Sequence, residues 1–315
     1  MIKDPGVYAL PEAEYHADPA PVPSLSSSLC KTLLYRSPLH AWMEHPRLNP
    51  NFVPTERAEF DLGTAAHALF LEGRSAGIEV IDPKDYPGKK GGIPDGWTND
   101  AIREARDKAR AAGKVPMLPH QYEKVVEMVD AAKLAWAANE DLAGIPFLDG
   151  KAEQSIFWRE GATWLRARPD WLSNDRKLIV DYKTTAASAS PEDWVRTMLG
   201  CGYDIQAPFY LRGNRATGGD ERAKFVFLVQ ETEPPYACSW IGMPPSFIAM
   251  GDAKVEHAIA LWRLCMESDR WPGYPTRICW MDAPSWAESR WAERAEHAEG
   301  IPYDLDKMFS RKETA

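Results

Sequence analysis

A chain of 315 residues, 44% hydrophobic and 26% charged, has room for one large domain or two ordinary ones and carries the usual balance of core and surface. No apolar run reaches about 18 residues, which excludes a membrane-spanning helix, and the opening MIKDPGVYALPEAEYH lacks an apolar secretory segment, so a cytoplasmic protein is expected. The net charge of -9 argues against a nucleic-acid partner on bulk charge alone, but net charge governs solubility and steering, and a basic channel inside an acidic exterior escapes that objection.

Residues 1–25 are rich in Pro and Ala, lack periodicity and are expected to form an extended, peripheral arm. PSLSSSLCKTLLYRSP predicts a helix with Ser26 or Ser27 as N-cap, a stripe at Leu29, Leu33 and Leu34, and Pro38 past its end. Plain capping is the first use of Ser26, Ser27 and Ser28; the other is a cradle of backbone N–H groups for a terminal phosphate. ERAEFDLGTAAHALFLEG, residues 56–73, predicts a second helix whose small central residues permit close packing. KDYPGKKGGIPDGW is loop chemistry. NDAIREARDKARAAGK predicts a helix capped by Asn99 or Asp100. There Arg103, Arg106, Lys108 and Arg110 interleave with Glu104 and Asp107, a solvated face before a DNA-facing one. A long amphipathic helix is expected over residues 122–139.

The texture changes at Glu153. AEQSIFWREGATWLRARPDWL predicts two short strands around a turn at residues 160–161, and KLIVDYKTT a third. SPEDWVRTMLG predicts a helix capped by Ser190 with Pro191 at its first position. CGYDIQAPFYLRGNRA predicts another, bent or begun at Pro208. Two strands, AKFVFLVQE and YACSWIGM, and a long closing helix follow, then a charged, Trp-rich tail. This order predicts an α/β fold: an arm (1–25), one domain (26–275) made of a helical lead-in (26–150) and a core (151–275), and a tail (276–315). The five cysteines are dispersed without a CxxC pair, which argues against disulfides, zinc and iron–sulfur clusters.

Within LIVDYKTT, Asp181 and Lys183 are two apart and share one strand face. The polar turn LSNDRK is expected to fold residues 163–170 and 178–183 into one antiparallel hairpin that brings Asp170 to them. Two carboxylates that close repel unless a cation lies between. Mg²⁺ takes such oxygen ligands, and the Tyr182 carbonyl offers one more. Lys183 is then suited to orient or deprotonate water or to hold developing negative charge, parts that fit metal-assisted hydrolysis of a phosphodiester. The bland alternative is an Asp181–Lys183 ion pair. Arg166 and Arg168 share a face and serve either to grip phosphates or to pair with acids.

RPDW…LIVDYKTT resembles the core of the PD-(D/E)xK nucleases, with Asp170 and Asp181 as the motif acids and Lys183 as the motif lysine. GYDIQAPFYL resembles the Q-x-x-x-Y element of the RecB-like branch, placing Gln206 and Tyr210, and GTAAHALFLEG resembles its upstream histidine motif, placing His67. YH…SLSSSLCKTLLYRSPLHAW and WPGY resemble the opening and closing segments of RecE-type exonucleases, the phage and prophage group also called exonuclease VIII. The resemblance spans residues 15–274.

It implies a central mixed β-sheet flanked by helices. It implies a Mg²⁺- or Mn²⁺-dependent exonuclease that digests linear duplex DNA 5′→3′ and leaves 3′ single strands for recombination with a RecT-like annealing partner, in a ring-shaped homo-oligomer. His67, Asp170, Asp181 and the Tyr182 carbonyl would hold the metal. Glu153 would serve a second metal or its water, or be an edge charge. Gln206 and Tyr210 would contact the DNA backbone, position Lys183, or merely cap the sheet. Three rivals stand beside this reading. An iron–sulfur RecB-family nuclease is disfavoured by the cysteine positions; an endonuclease of the same fold and a nuclease-fold module that only binds DNA or a partner remain.

Overall fold

The computed structural model of the protein describes residues 1–53, 62–73, 77–88 and 91–298. Contacts divide the chain into two units, residues 1–273 and 274–315. The first unit runs β1 (Gly6–Tyr8), α1 (Glu12–His16), β2 (Leu25–Ser26), α2 (Ser27–Tyr35), α3 (Pro38–Glu44), α4 (Leu62–Leu71), β3 (Ile78–Val80), α5 (Asp100–Ala111), β4 (Val115–Met117) and α6 (Pro119–Ala137). It continues with β5 (Gly150–Ala152), β6 (Ser155–Glu160), β7 (Thr163–Ala167), β8 (Trp171–Ser173), β9 (Leu178–Thr185), α7 (Pro191–Cys201), α8 (Tyr203–Ala216), β10 (Lys224–Glu231), β11 (Cys238–Gly242) and α9 (Pro245–Ser268). The second unit holds α10 (Ser285–Ala298) in the charged, Trp-rich tail, for which no helix was expected; residues 299–315 lie outside the described residues.

The expected mixed α/β architecture is present, divided among a five-stranded sheet in the order β11-β10-β9-β8-β5, a four-stranded sheet β1-β6-β7-β2 and the small pair β3-β4. In the larger sheet β9 runs parallel to β10 and antiparallel to β8. Burial on both faces explains the nearly continuous apolar character of LIV and FVFLV. Leu178, Val180 and Tyr182 enter a core with Phe70 of α4 and Val125 and Trp136 of α6. Ile179 enters the opposite core with Ile205 and Phe209 of α8. Period-2 alternation therefore puts Asp181 and Lys183 on the α8 side.

The helix signals are used as written. Ser26 accepts from Leu29 N–H, Asn99 from Ile102 N–H and Ser190 from Asp193 N–H. Gly202, at φ +69°, ends α7 and opens α8 in a left-handed conformation suited to glycine. Pro208 lies inside α8 and neither starts nor ends it. Lacking an N–H, it leaves the Asp204 carbonyl without a helical donor. Gly251 of α9 packs against that oxygen so closely that a Cβ there would lie 1.9 Å from it.

Several expectations need correction. Residues 1–25 are not a peripheral arm: β1 pairs with β6, β2 pairs with β7, and Ile2, Tyr15 and Ala20 pack with Phe157 and Trp164. Non-local pairing orders a segment that has no local period. Residues 163–170 are not one strand in a hairpin with β9. β7 joins the four-stranded sheet beside β6, and of β7 and β8 it is β8 that pairs with β9, as Trp171↔Val180 and Leu172↔Ile179. The chain passes from one sheet to the other at residues 168–170. The lead-in is not wholly helical, since it holds β3 and β4, and α3, capped by Ser37, is an additional short helix. Of the helix expected over residues 56–73, α4 supplies Leu62–Leu71; residues 56–61 lie outside the described residues.

Candidate metal centre and active site

Two sheet crossings build the site. The chain leaves β5 for β6 at Glu153 and Gln154, and leaves β7 for β8 at residues 168–170. Pairing of β5 with β8 sets the crossings side by side, with Glu153 N–H donating to the Asp170 carbonyl at 3.0 Å. Glu153 adopts φ +55°, left-handed backbone uncommon for a residue with a Cβ. Such strain persists where surrounding structure enforces it and is concentrated at functional sites.

His67 projects from α4 toward both crossings. Its Nε2 lies 3.2 Å from Asp170 Oδ2 and 3.6 Å from Glu153 Oε1. One ligand atom from each of His67, Glu153 and Asp170 falls within 4.8 Å of the others, a grouping that could hold a metal ion. Asp170 Oδ2 also accepts the Tyr182 N–H at 2.7 Å. The N–H and C=O of an extended residue face the same neighbour, so the Tyr182 carbonyl is on the Asp170 side of β9. Its ring points to the other core, where the hydroxyl bonds Gln230.

Asp181 is fully buried and stands in a second group. It pairs with Lys183, and Gln206 Nε2 donates to its Oδ2 at 2.6 Å. Gln206 and Tyr210, four apart on α8, face the same way. Tyr210 is buried against Phe225. Lys183 Nζ lies 5.1 Å from the centre of the Tyr203 ring. Tyr203 was missed in the sequence, although it precedes Gln206 by three residues and so shares its helix face.

Electrostatics tie the groups together. Burial raises the Asp181 carboxyl, the Asp170 charge adds to the rise, and the Lys183 ammonium only partly offsets it, leaving it at about 7. Burial also raises Glu153, with Asp170 adding to it. Burial opposes charge on Asp170 as well, yet His67, Lys183 and the Tyr182 N–H outweigh it and hold this carboxyl below its usual range. Burial would lower His67, but Asp170 and Glu153 lift it to about 9. Lys183 is likewise raised by its carboxylates against burial. An imidazolium thus lies between two carboxylates where the chemistry suits a cation. One imidazole nitrogen with carboxylate oxygens fits Mg²⁺ and fits Mn²⁺ still better.

The remaining candidates divide. Arg166 is not available to phosphates: it is 5% exposed and bonds the Ser24 carbonyl at 2.8 Å, Ser24 Oγ at 2.7 Å and Asp18 at 3.1 Å. The alternation of Arg166 with Leu165 and Ala167 could not reveal that the first 25 residues cover this face. Arg168 pairs with an acid, its Nε lying 2.5 Å from Glu153 Oε2, and Nη1 bonds the Leu10 carbonyl at 2.9 Å and Ser155 Oγ at 3.0 Å. Ser26 caps α2 and is bonded to Ser28, which is exposed.

Three comparisons bear on this architecture. A solved structure described as a candidate exonuclease from Eubacterium rectale is similar over 96% of this chain and 99% of its own, at 12% identity with a TM-score of 0.50. That likeness concerns the fold. Another, SSO0001, aligns with 67% of this chain and 96% of its own at 15% identity with a TM-score of 0.24, too loosely to carry an argument. No curated protein sequence matches. The family described as the PDDEXK-like domain of unknown function (DUF3799) matches residues 26–282, a stretch that holds the crossings, the carboxylates and Lys183, and the chain belongs to that family.

Proposed function

We propose that the protein is a Mg²⁺- or Mn²⁺-dependent exodeoxyribonuclease acting on linear duplex DNA. The observation that carries the reading is the adjacency of two groups: the His67–Glu153–Asp170 ligand set and the Asp181–Lys183–Gln206 cluster, joined through the Tyr182 backbone. His67, Glu153, Asp170 and the Tyr182 carbonyl would hold the ion, with Asp181 beside them. A bound divalent ion supplies Lewis-acid activation of the phosphate. Lys183, kept protonated by its carboxylates, stabilises negative charge developing on the phosphoryl oxygens rather than accepting a proton. Gln206 fixes the Asp181 carboxylate, and Tyr203 bounds the Lys183 ammonium.

The finer reading, 5′→3′ digestion by a ring-shaped oligomer that feeds a RecT-like annealing partner in recombination, rests on the RecE-type resemblance of residues 15–274. The family match supports a nuclease, and the Eubacterium rectale protein named as a candidate exonuclease shares its fold. End-labelled linear and covalently closed DNA, each with Mg²⁺, Mn²⁺ or chelator, test it. Loss of label from linear DNA only, dependent on metal and abolished in Asp181→Ala, is expected. Cutting of closed circles would replace the exonuclease by an endonuclease, and wild-type rates in Asp181→Ala would reject the site.

A further inference from the structure

β9 and β10 are parallel neighbours, and beyond their C-terminal ends lies an open cleft of about 530 Å³. Ligands of open α/β sheets favour the crevice outside the carboxyl ends of parallel strands. Its polar lining is Thr184, Thr185, Thr232, His120, Gln121 and Lys124, and among the described lining residues none is acidic. The two strand ends are joined by Thr232 N–H donating to the Thr185 carbonyl at 2.9 Å. Thr184 and Thr185 directly follow Lys183, so they lie about 3.3 and 6.6 Å along the strand from it. One nucleotide advances duplex DNA by about 3.4 Å along its axis. The cleft therefore begins about one nucleotide rise along β9 from the backbone of Lys183, whose side chain lies on the α8 face of the same strand.

Resting on the nuclease reading above, we propose that this cleft binds an internal phosphodiester of the substrate strand next to the scissile one. Lys124 supplies the charge and the threonine hydroxyls supply directed donors. Hydroxyl and ammonium groups are the usual partners of phosphate oxygens and carry no sequence preference. Lys124 Nζ is held by Glu233 at 2.7 Å, with Glu233 71% exposed. A surface pair of this kind is weak and yields readily to a phosphate. Glu233 then acts as a competitor for Lys124, which gives the proposal an unusual sign: removing this acid strengthens DNA binding.

The test is fluorescence anisotropy of a labelled duplex with the full-length chain in chelator, where hydrolysis does not interfere, from low to moderate salt. Lys124→Ala is expected to weaken binding about three- to tenfold, the net range of one typical hydrogen bond exchanged with water, and to lower the salt slope by about one. Glu233→Gln is expected to tighten binding. Alanine suits a helix surface, and an unchanged urea midpoint shows that Lys124→Ala folds. Equal effects on 5′-phosphorylated and 5′-hydroxyl duplexes support an internal phosphodiester. A slope change confined to the phosphorylated end overturns that assignment, as does an unaltered slope in Lys124→Ala or unimproved binding by Glu233→Gln. These failures leave the nuclease reading standing if wild type still digests linear DNA, whereas absence of metal-dependent digestion by wild type removes that reading itself.

Discussion

Arg168→Met is the sharpest test of how the proposed metal centre is held. In place of a phosphate contact, Arg168 gives its guanidinium to Glu153, the Leu10 carbonyl and Ser155. Its side chain is only 11% exposed and that of Glu153 17%. Met keeps much of the volume and removes the cation. Glu153 then loses a partner that opposes the upward push of burial and of Asp170 on its carboxyl. Groups that orient a metal ligand are each worth about 10- to 100-fold in metal affinity, or about 1.4–2.8 kcal/mol. Breaking a fully buried pair costs about 3–5 kcal/mol of stability; the partial exposure here places the loss at about 2–3 kcal/mol. Calorimetric titration with Mn²⁺ reads the first quantity and urea unfolding the second. If Mn²⁺ affinity is unchanged while DNA affinity and its salt slope fall, Arg168 grips phosphate and the account of Glu153 is wrong.

Burial holds the His45 imidazole below its usual range despite Asp18, so the unfolded chain takes up a proton that the folded chain refuses, and stability falls as pH drops below about 6.5. Asp18 is opposed by burial but held low by His45, Arg166 and Ser24, so its contribution is present above about pH 3.8 and lost as pH falls through its lower folded value; urea midpoints from pH 8 to 4 should decline from near 6.5 in wild type, and a His45→Gln variant should lose that upper part of the decline. Gly251→Ala drives a Cβ toward the Asp204 carbonyl and should cost about 1–3 kcal/mol or more as overpacking, read by thermal unfolding; an unaffected midpoint would mean that α8 and α9 separate easily. Tyr203→Leu removes the ring beside Lys183 and should slow hydrolysis by about 2- to 30-fold, the worth of a cation–π contact of about 0.5–2 kcal/mol, with Tyr203→Phe close to wild type in single-turnover assays.

What the sequence discloses and what it conceals separate along one physical line. Properties with a local period are legible: the alternation that sends Tyr182 to one core and Asp181 with Lys183 to the other, the Ser190 cap, and the four-residue spacing of Gln206 and Tyr210. The partner of a strand has no local signature. Asp170 was expected to reach Asp181 across a simple hairpin; it instead sits at the passage between two sheets, beside Glu153, seventeen positions earlier, and His67. The same ignorance of pairing made Arg166 look accessible, because β2 and the Asp18–Ser24 segment cover it from far away in sequence. The left-handed backbone at Glu153 is equally unreadable in the residue itself, since glutamate gives no hint of positive φ. These concealed features coincide. Two strands that change sheets at adjacent points leave an interruption in the ladder, and backbone and carboxylates freed from regular pairing there are what a cation-binding site requires. The Tyr182 N–H, lacking a strand neighbour beyond the short β8, is met by the Asp170 carboxylate instead. The two carboxylates that lie closest to His67 thus stand where the sheet stops being regular, and the argument for a metal there is an argument about topology as much as about the residues DYK.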